Sequence, residues 1–122
     1  MIHYHFNEEI QVLEVTYEGD ISADDIIKHS LYVAHHKTFP RVLNIITDST
    51  KAHYTFSPSI IKDLLKYVEE SLKNFTFIKD AFIHSNPVET AYSHLLEIEQ
   101  NHDNYSHRIF STKKAAIHWL IN

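Results

Sequence analysis

The stretch Arg41-Val42-Leu43-Asn44-Ile45-Ile46-Thr47-Asp48-Ser49-Thr50 constrains the fold of this chain more than any other. Val42, Leu43, Ile45 and Ile46 form a short β-branched and aliphatic run that stops at Thr-Asp-Ser-Thr. A strand covered on both faces reads this way, because neither face has to be polar. Such a strand lies in mid-sheet with helices on either side, so the run predicts an α/β sandwich. It also places Asp48, Ser49 and Thr50 at the carboxyl edge of the sheet, where open α/β sheets tend to bind ligands.

The flanking segments supply the other layers. Ile2, Tyr4 and Phe6 alternate with His3 and His5, the period of a half-buried strand. After the polar turn Asn7-Glu8-Glu9, Leu13, Val15 and Tyr17 alternate in turn, so a second strand pairs back as a hairpin that Gly19 and Asp20 close. A helix starts at Ser22, which caps an open backbone N–H, with Asp24 and Asp25 at the positive end of the dipole. Ile21 and Ile26 flank that cap as a hydrophobic staple, and Ile27, Leu31 and Ala34 give the stripe. A second helix has Ser57 as cap and Pro58 in its first turn, followed by Ile60, Ile61, Leu64, Leu65, Val68 and Leu72 at helical spacing. Ala81-Phe82-Ile83 is another buried strand. Asn86-Pro87-Val88-Glu89 repeats the helix-start signal and leads a third helix to about Gln100. A short strand around Arg108-Ile109-Phe110 precedes a last helix, capped by Ser111 or Thr112 and holding Ala115, Ala116, Trp119 and Leu120. The order is ββαβαβαβα. It predicts a five-stranded mixed, mostly parallel sheet with four helices, in one domain over residues 1–122.

Composition excludes several functions. With 122 residues, 43% hydrophobic and 22% charged, the chain suits one core of a globular domain. The absence of cysteine removes disulfides, thiolate metal sites and cysteine nucleophiles, and fits a cytoplasmic protein. A net charge of −5 without a basic block argues against nucleic acid. No apolar run approaches the roughly 20 residues of a membrane span, and the first residues do not form a signal peptide. Eleven histidines are many. His3 and His5 share a strand face, and His29, His35 and His36 cluster on the first helix. They read as solvated surface residues, and no metal or other cofactor is expected.

Three patterns carry a family resemblance. They are Val42-Leu43-Asn44-Ile45-Ile46-Thr47-Asp48, Ala81-Phe82-Ile83-His84-Ser85-Asn86-Pro87, and Ile109-Phe110-Ser111-Thr112 running into Ala115-Ala116-Ile117-His118-Trp119-Leu120. With the element order, they resemble the STAS family, the domain of bacterial anti-sigma-factor antagonists, and within it the SpoIIAA-like branch of small stand-alone proteins. The resemblance implies a non-catalytic regulatory module acting through protein contacts. In the antagonists, a serine at the start of the helix after the central strand is phosphorylated within an Asp-Ser-Ser-Gly-like motif. Here Thr55-Phe56-Ser57-Pro58-Ser59-Ile60 occupies that place without the aspartate or the glycine, so the kinase-substrate role is not carried over.

Two sets of residues are candidate sites. Asp48, Ser49, Thr50, Ser57, His84, Ser85 and Asn86 converge on the carboxyl edge, where they serve either a small polar ligand or partner, or the capping of strand ends and helix starts. A phosphate on Ser57 would meet free N–H groups, while plain N-capping accounts for the same Ser-Pro signature. Asp48 with His84 is the one acid–base pairing on offer, without a nucleophile or oxyanion hole to complete an enzyme. Tyr54, Phe56, Phe75, Phe77 and Ile78 flank the second helix and exceed what its core face needs. Beyond ordinary core they offer an apolar ligand pocket or an interface for a partner or a homodimer. The expectation is therefore a non-catalytic STAS-like regulatory or protein-binding module, with a small apolar-ligand or lipid carrier, the SEC14-like use of this architecture, as its rival.

Overall fold

The computed structural model describes residues 1–84 and 103–122 of the chain. The elements are β1 (Ile2–Asn7), β2 (Val12–Ile21), α1 (Ala23–His35), β3 (Val42–Tyr54), a 3-10 turn (Pro58–Ile60), α2 (Ile61–Leu72), β4 (Phe77–Ile83), β5 (Tyr105–Phe110) and α3 (Lys113–Ile121). The strands form one sheet in the order β1-β2-β3-β4-β5, antiparallel at the β1–β2 hairpin and parallel elsewhere. The expected mixed sheet is present, with the central run in the middle strand. Three α-helices lie among the described residues, and the helix expected over residues 86–100 lies outside them.

Alternation along the strands divides the core in two. Leu13, Val15 and Tyr17 of β2, Leu43 and Ile45 of β3, and Ile78 and Phe82 of β4 face α1 and α2, and they pack with Val33 and Leu72 of those helices. Val12, Ile46, Ala81 and Ile83 point the other way, against Ala116 and Leu120 of α3. Thus Leu43, Ile45 and Ile46 are buried as a central strand requires, each at most 3% exposed. Val42 departs from the expectation: it opens the strand at the sheet margin and is 58% exposed.

Two strand ends also depart from it. Thr-Asp-Ser-Thr does not stop β3, which continues to Tyr54 alongside the second half of β2. The pairing jumps from Thr16↔Asp48 to Glu18↔Lys51, so Ser49 and Thr50 together stand opposite Tyr17 in a β-bulge. The extra residue resets the alternation and turns Ala52 and Tyr54 toward the helices. Likewise β2 runs through Gly19 to Ile21; Gly19 has φ +71°, a value that suits a residue without Cβ.

Helix α1 begins with a full capping box. Asp25 N–H donates to Ser22 Oγ at 3.1 Å and Ser22 N–H donates to Asp25 Oδ2 at 2.9 Å. Ser57 caps the 3-10 turn rather than α2 itself, which starts three residues later than the Pro58 signal suggests, at Ile61. Thr112 is the cap of α3, accepting from Ala115 N–H at 3.2 Å. Across the amino end of the sheet, the Arg41 guanidinium donates to the Asn74 and His36 carbonyls and lies 4.4 Å from the centre of the Phe75 ring.

Candidate functional site

The carboxyl-edge residues do not assemble into one polar site. Ser49 is 1% exposed, and its hydroxyl is 3.1 Å from that of Tyr54, on the helix side of the sheet. Asp48 points to the other side, where its Oδ1 accepts from the N–H and hydroxyl of Thr50 at 2.9 and 2.7 Å. His84 is buried against Phe82 and Tyr54 on the helix side. By strand alternation the carboxylate and the imidazole leave opposite faces of the sheet. Ser57 is exposed and accepts from Ser59 N–H at 3.3 Å. Ser85 and Asn86 lie outside the described residues.

The space that could hold a ligand is elsewhere, between α1, α2 and the sheet. There the structure contains a cavity of about 100 Å³, partly open to solvent. Ile26 and Val33 of α1 and Ile61, Leu64 and Val68 of α2 form its roof. Ile45, Ile78 and Phe82 of the sheet form most of its floor. Tyr54, Phe56 and Ile78 of the sequence-predicted apolar set line it. Phe75 and Phe77 do not: Phe75 is buried under Arg41, and Phe77 is half-buried at the start of β4, on the α3 side.

One charged group interrupts these apolar walls. Asp80 lies on β4 and is 7% exposed. Thr47 Oγ1 donates to its Oδ1 at 3.2 Å, and Tyr105 O–H donates to its Oδ2 at 3.4 Å. Burial raises the Asp80 pKa to about 7, against the smaller opposing effect of those two hydrogen bonds. Burial also pushes the Tyr105 hydroxyl well up, helped by the neighbouring carboxylate. Tyr17 responds in the same direction, through burial first and then nearby Tyr54 and Asp80.

Histidines approach the same region, contrary to the expectation that they are solvated. His29 of α1 lines the cavity, with Nδ1 2.8 Å from Tyr4 O–H, and burial lowers its pKa to about 4. His107 of β5 is 2% exposed and has a pKa lowered to about 3 by burial and by His84. Neutral imidazole is thus the ordinary state of both. Among the described residues, no three His, Asp or Glu side chains come together as metal ligands, and no helix is long and apolar enough to cross a membrane.

The sequence did contain a sign of Asp80. It stands at an inward position of a strand that is apolar around it, Phe77-Ile78-Lys79-Asp80-Ala81-Phe82-Ile83. Beginning the strand at Ala81 leaves Lys79-Asp80 looking like a polar connection. Only the full register, with Asp80 opposite Ile45, puts the carboxyl in the core.

Comparison with known proteins bears on the fold alone. No family model matches the chain, and no curated protein does. Among solved structures, an uncharacterised protein of the DUF3478 family from Shewanella loihica, described as having a SpoIIAA-like fold, superposes with a TM-score of 0.64 at 17% sequence identity. The match covers 98% of this chain and 92% of that one. The chain thus has a SpoIIAA-like α/β fold, as its three sequence patterns suggested.

Proposed function

We propose that this chain is a non-catalytic binding module whose ligand is a small, largely apolar molecule held between the sheet and the α1–α2 layer. The observation that carries this reading is the cavity of about 100 Å³ with aliphatic and aromatic walls and a short polar patch at Asp80 and Tyr105, the former held from behind by Thr47. Binding sites commonly combine apolar walls with a few placed polar groups. A dry apolar cavity of about 150 Å³ can hold benzene, so the present one encloses about four heavy atoms, with more extending through its open side.

The regulatory part of the proposal rests on α1. That helix contributes Ile26, His29 and Val33 to the cavity and exposes Leu31 and Tyr32 on its outer side, each a little under 40% exposed. A ligand that shifts α1 would change the surface a partner meets, which suits a cytoplasmic regulator. Titration with short aliphatic alcohols, followed by methyl NMR, tests the binding claim. The methyl signals of Ile45, Leu64 and Ile78 should move together and saturate. If they stay in place, and native mass spectrometry finds only the bare chain, the proposal fails.

A further inference from the structure

Resting on that reading of the cavity, we infer that its ligand is a short aliphatic amine whose ammonium group pairs with the Asp80 carboxylate. Among the described residues, Asp80 is the one carboxyl lining the cavity, and no lysine or arginine lines it. The carboxylate therefore faces the cavity without a cationic partner among the described residues. Each of its oxygens accepts one hydrogen bond, at 3.2 and 3.4 Å, while a carboxylate oxygen has room for about two. An ammonium group would fill the remaining acceptor positions with charge-assisted bonds and supply the missing counter-charge.

The rest of the lining suits that occupant. Tyr17 and Phe82 lie edge to face 6.2 Å apart and line the cavity together with Asp80, and aromatic rings suit a cation beside them. Three of the other polar lining groups already have bonds. The Tyr54 hydroxyl meets Ser49, the Ser71 hydroxyl donates to the Val68 carbonyl at 2.6 Å, and His29 meets Tyr4. The aliphatic residues of α1 and α2 then take the hydrocarbon tail. Alternatives fit less well. A carboxylate ligand would bring a second negative charge against Asp80, and a purely apolar one would leave its spare acceptors dry.

Three probes of matched size test the inference: n-propylamine, n-propanol and propionate, titrated near neutral pH against the whole chain and followed by methyl NMR. The amine should bind at least tenfold more tightly than the alcohol, as one charge-assisted contact predicts, and propionate should not bind. In Asp80→Asn the preference for amine over alcohol should disappear, whatever the absolute affinity of the alcohol. Equal affinity of amine and alcohol for the wild type, or an amine preference that survives in Asp80→Asn, overturns the inference and leaves the cavity reading intact. Failure of all three probes to bind overturns both. The wild-type ratio of amine to alcohol decides the matter even if the variant does not fold.

Discussion

Asp80→Asn should change the pH dependence of stability in a direction fixed by the site. In the unfolded chain the carboxyl titrates near 3.8, and in the fold near 7. A raised folded pKa means that the contribution of Asp80 is most favourable below about pH 4 and is lost as pH rises through about 7. With each unit worth 1.36 kcal/mol, the loss is about 2 kcal/mol at pH 5 and about 4 kcal/mol at pH 8, as orders of magnitude. The amide cannot ionise, so the stability difference between variant and wild type should swing in the variant's favour by about 2 kcal/mol across that range. Its oxygen can still accept from Thr47. Against Tyr105 it presents N–H donors, and a mispaired group costs about 1–3 kcal/mol at every pH. Buried His29 and His107 act oppositely: their folded pKa values are lowered, so their contribution is present above about 6.5 and lost as pH falls below it. Both proteins share them, so they cancel in the difference. Urea unfolding of the two proteins at several pH values between 5 and 8 measures the swing. A difference that stays flat with pH would refute the placement of an ionising carboxyl in the cavity.

Other substitutions probe the layers around it. Ser22→Ala breaks the capping box of α1 and should cost about 1 kcal/mol, read as a fall of a few degrees in the circular-dichroism melt. Ser57→Ala removes a 3.3 Å bond from one exposed 3-10 turn and should cost no more than about 0.5 kcal/mol in the same melt. Val68→Leu adds a methylene at the cavity roof on a helix that accepts leucine readily. It should change stability by less than about 1 kcal/mol while weakening alcohol binding measured by methyl NMR.

The architecture was legible where one physical signal dominated. Leu43, Ile45 and Ile46 have no polar alternation, so the strand had to be central, and Ser22 and Thr112 sit where open helix N–H groups need acceptors. Legibility failed where two signals coincide. Thr47-Asp48-Ser49-Thr50 has the composition of a turn, yet it spans a bulge, where backbone pairing with β2 outweighs local preference. The candidate site was only partly legible for a related reason. Tyr54, Phe56 and Ile78 could be named from their surplus of apolar surface next to a helix. Asp80, Tyr105 and His29 could not, because what joins them is register across β3, β4 and β5 and the approach of α1, contacts remote in sequence. A charged residue in a short apolar strand looks like its end until the strand is known to be covered on both faces.

Asp80 could also be purely structural, a polar pin between β3 and β5, and one variant separates the two roles. Replacing Thr47, Asp80 and Tyr105 together by Val, Leu and Phe removes both hydrogen bonds and the charge while roughly keeping volume. Buried charged networks exchanged for well-packed apolar groups are often neutral or stabilising by about 1–4 kcal/mol. The ionised carboxyl already costs about 4 kcal/mol at pH 8, so the triple variant should gain stability there. A group that weakens the fold where it stands, and leaves acceptors facing a cavity, is explained by what enters the cavity. The triple variant should accordingly unfold at higher urea than wild type, bind propanol at least as well, and show no preference for propylamine. If it is instead less stable than wild type at pH 8, the three groups hold the sheet together and the case for a ligand carboxylate collapses.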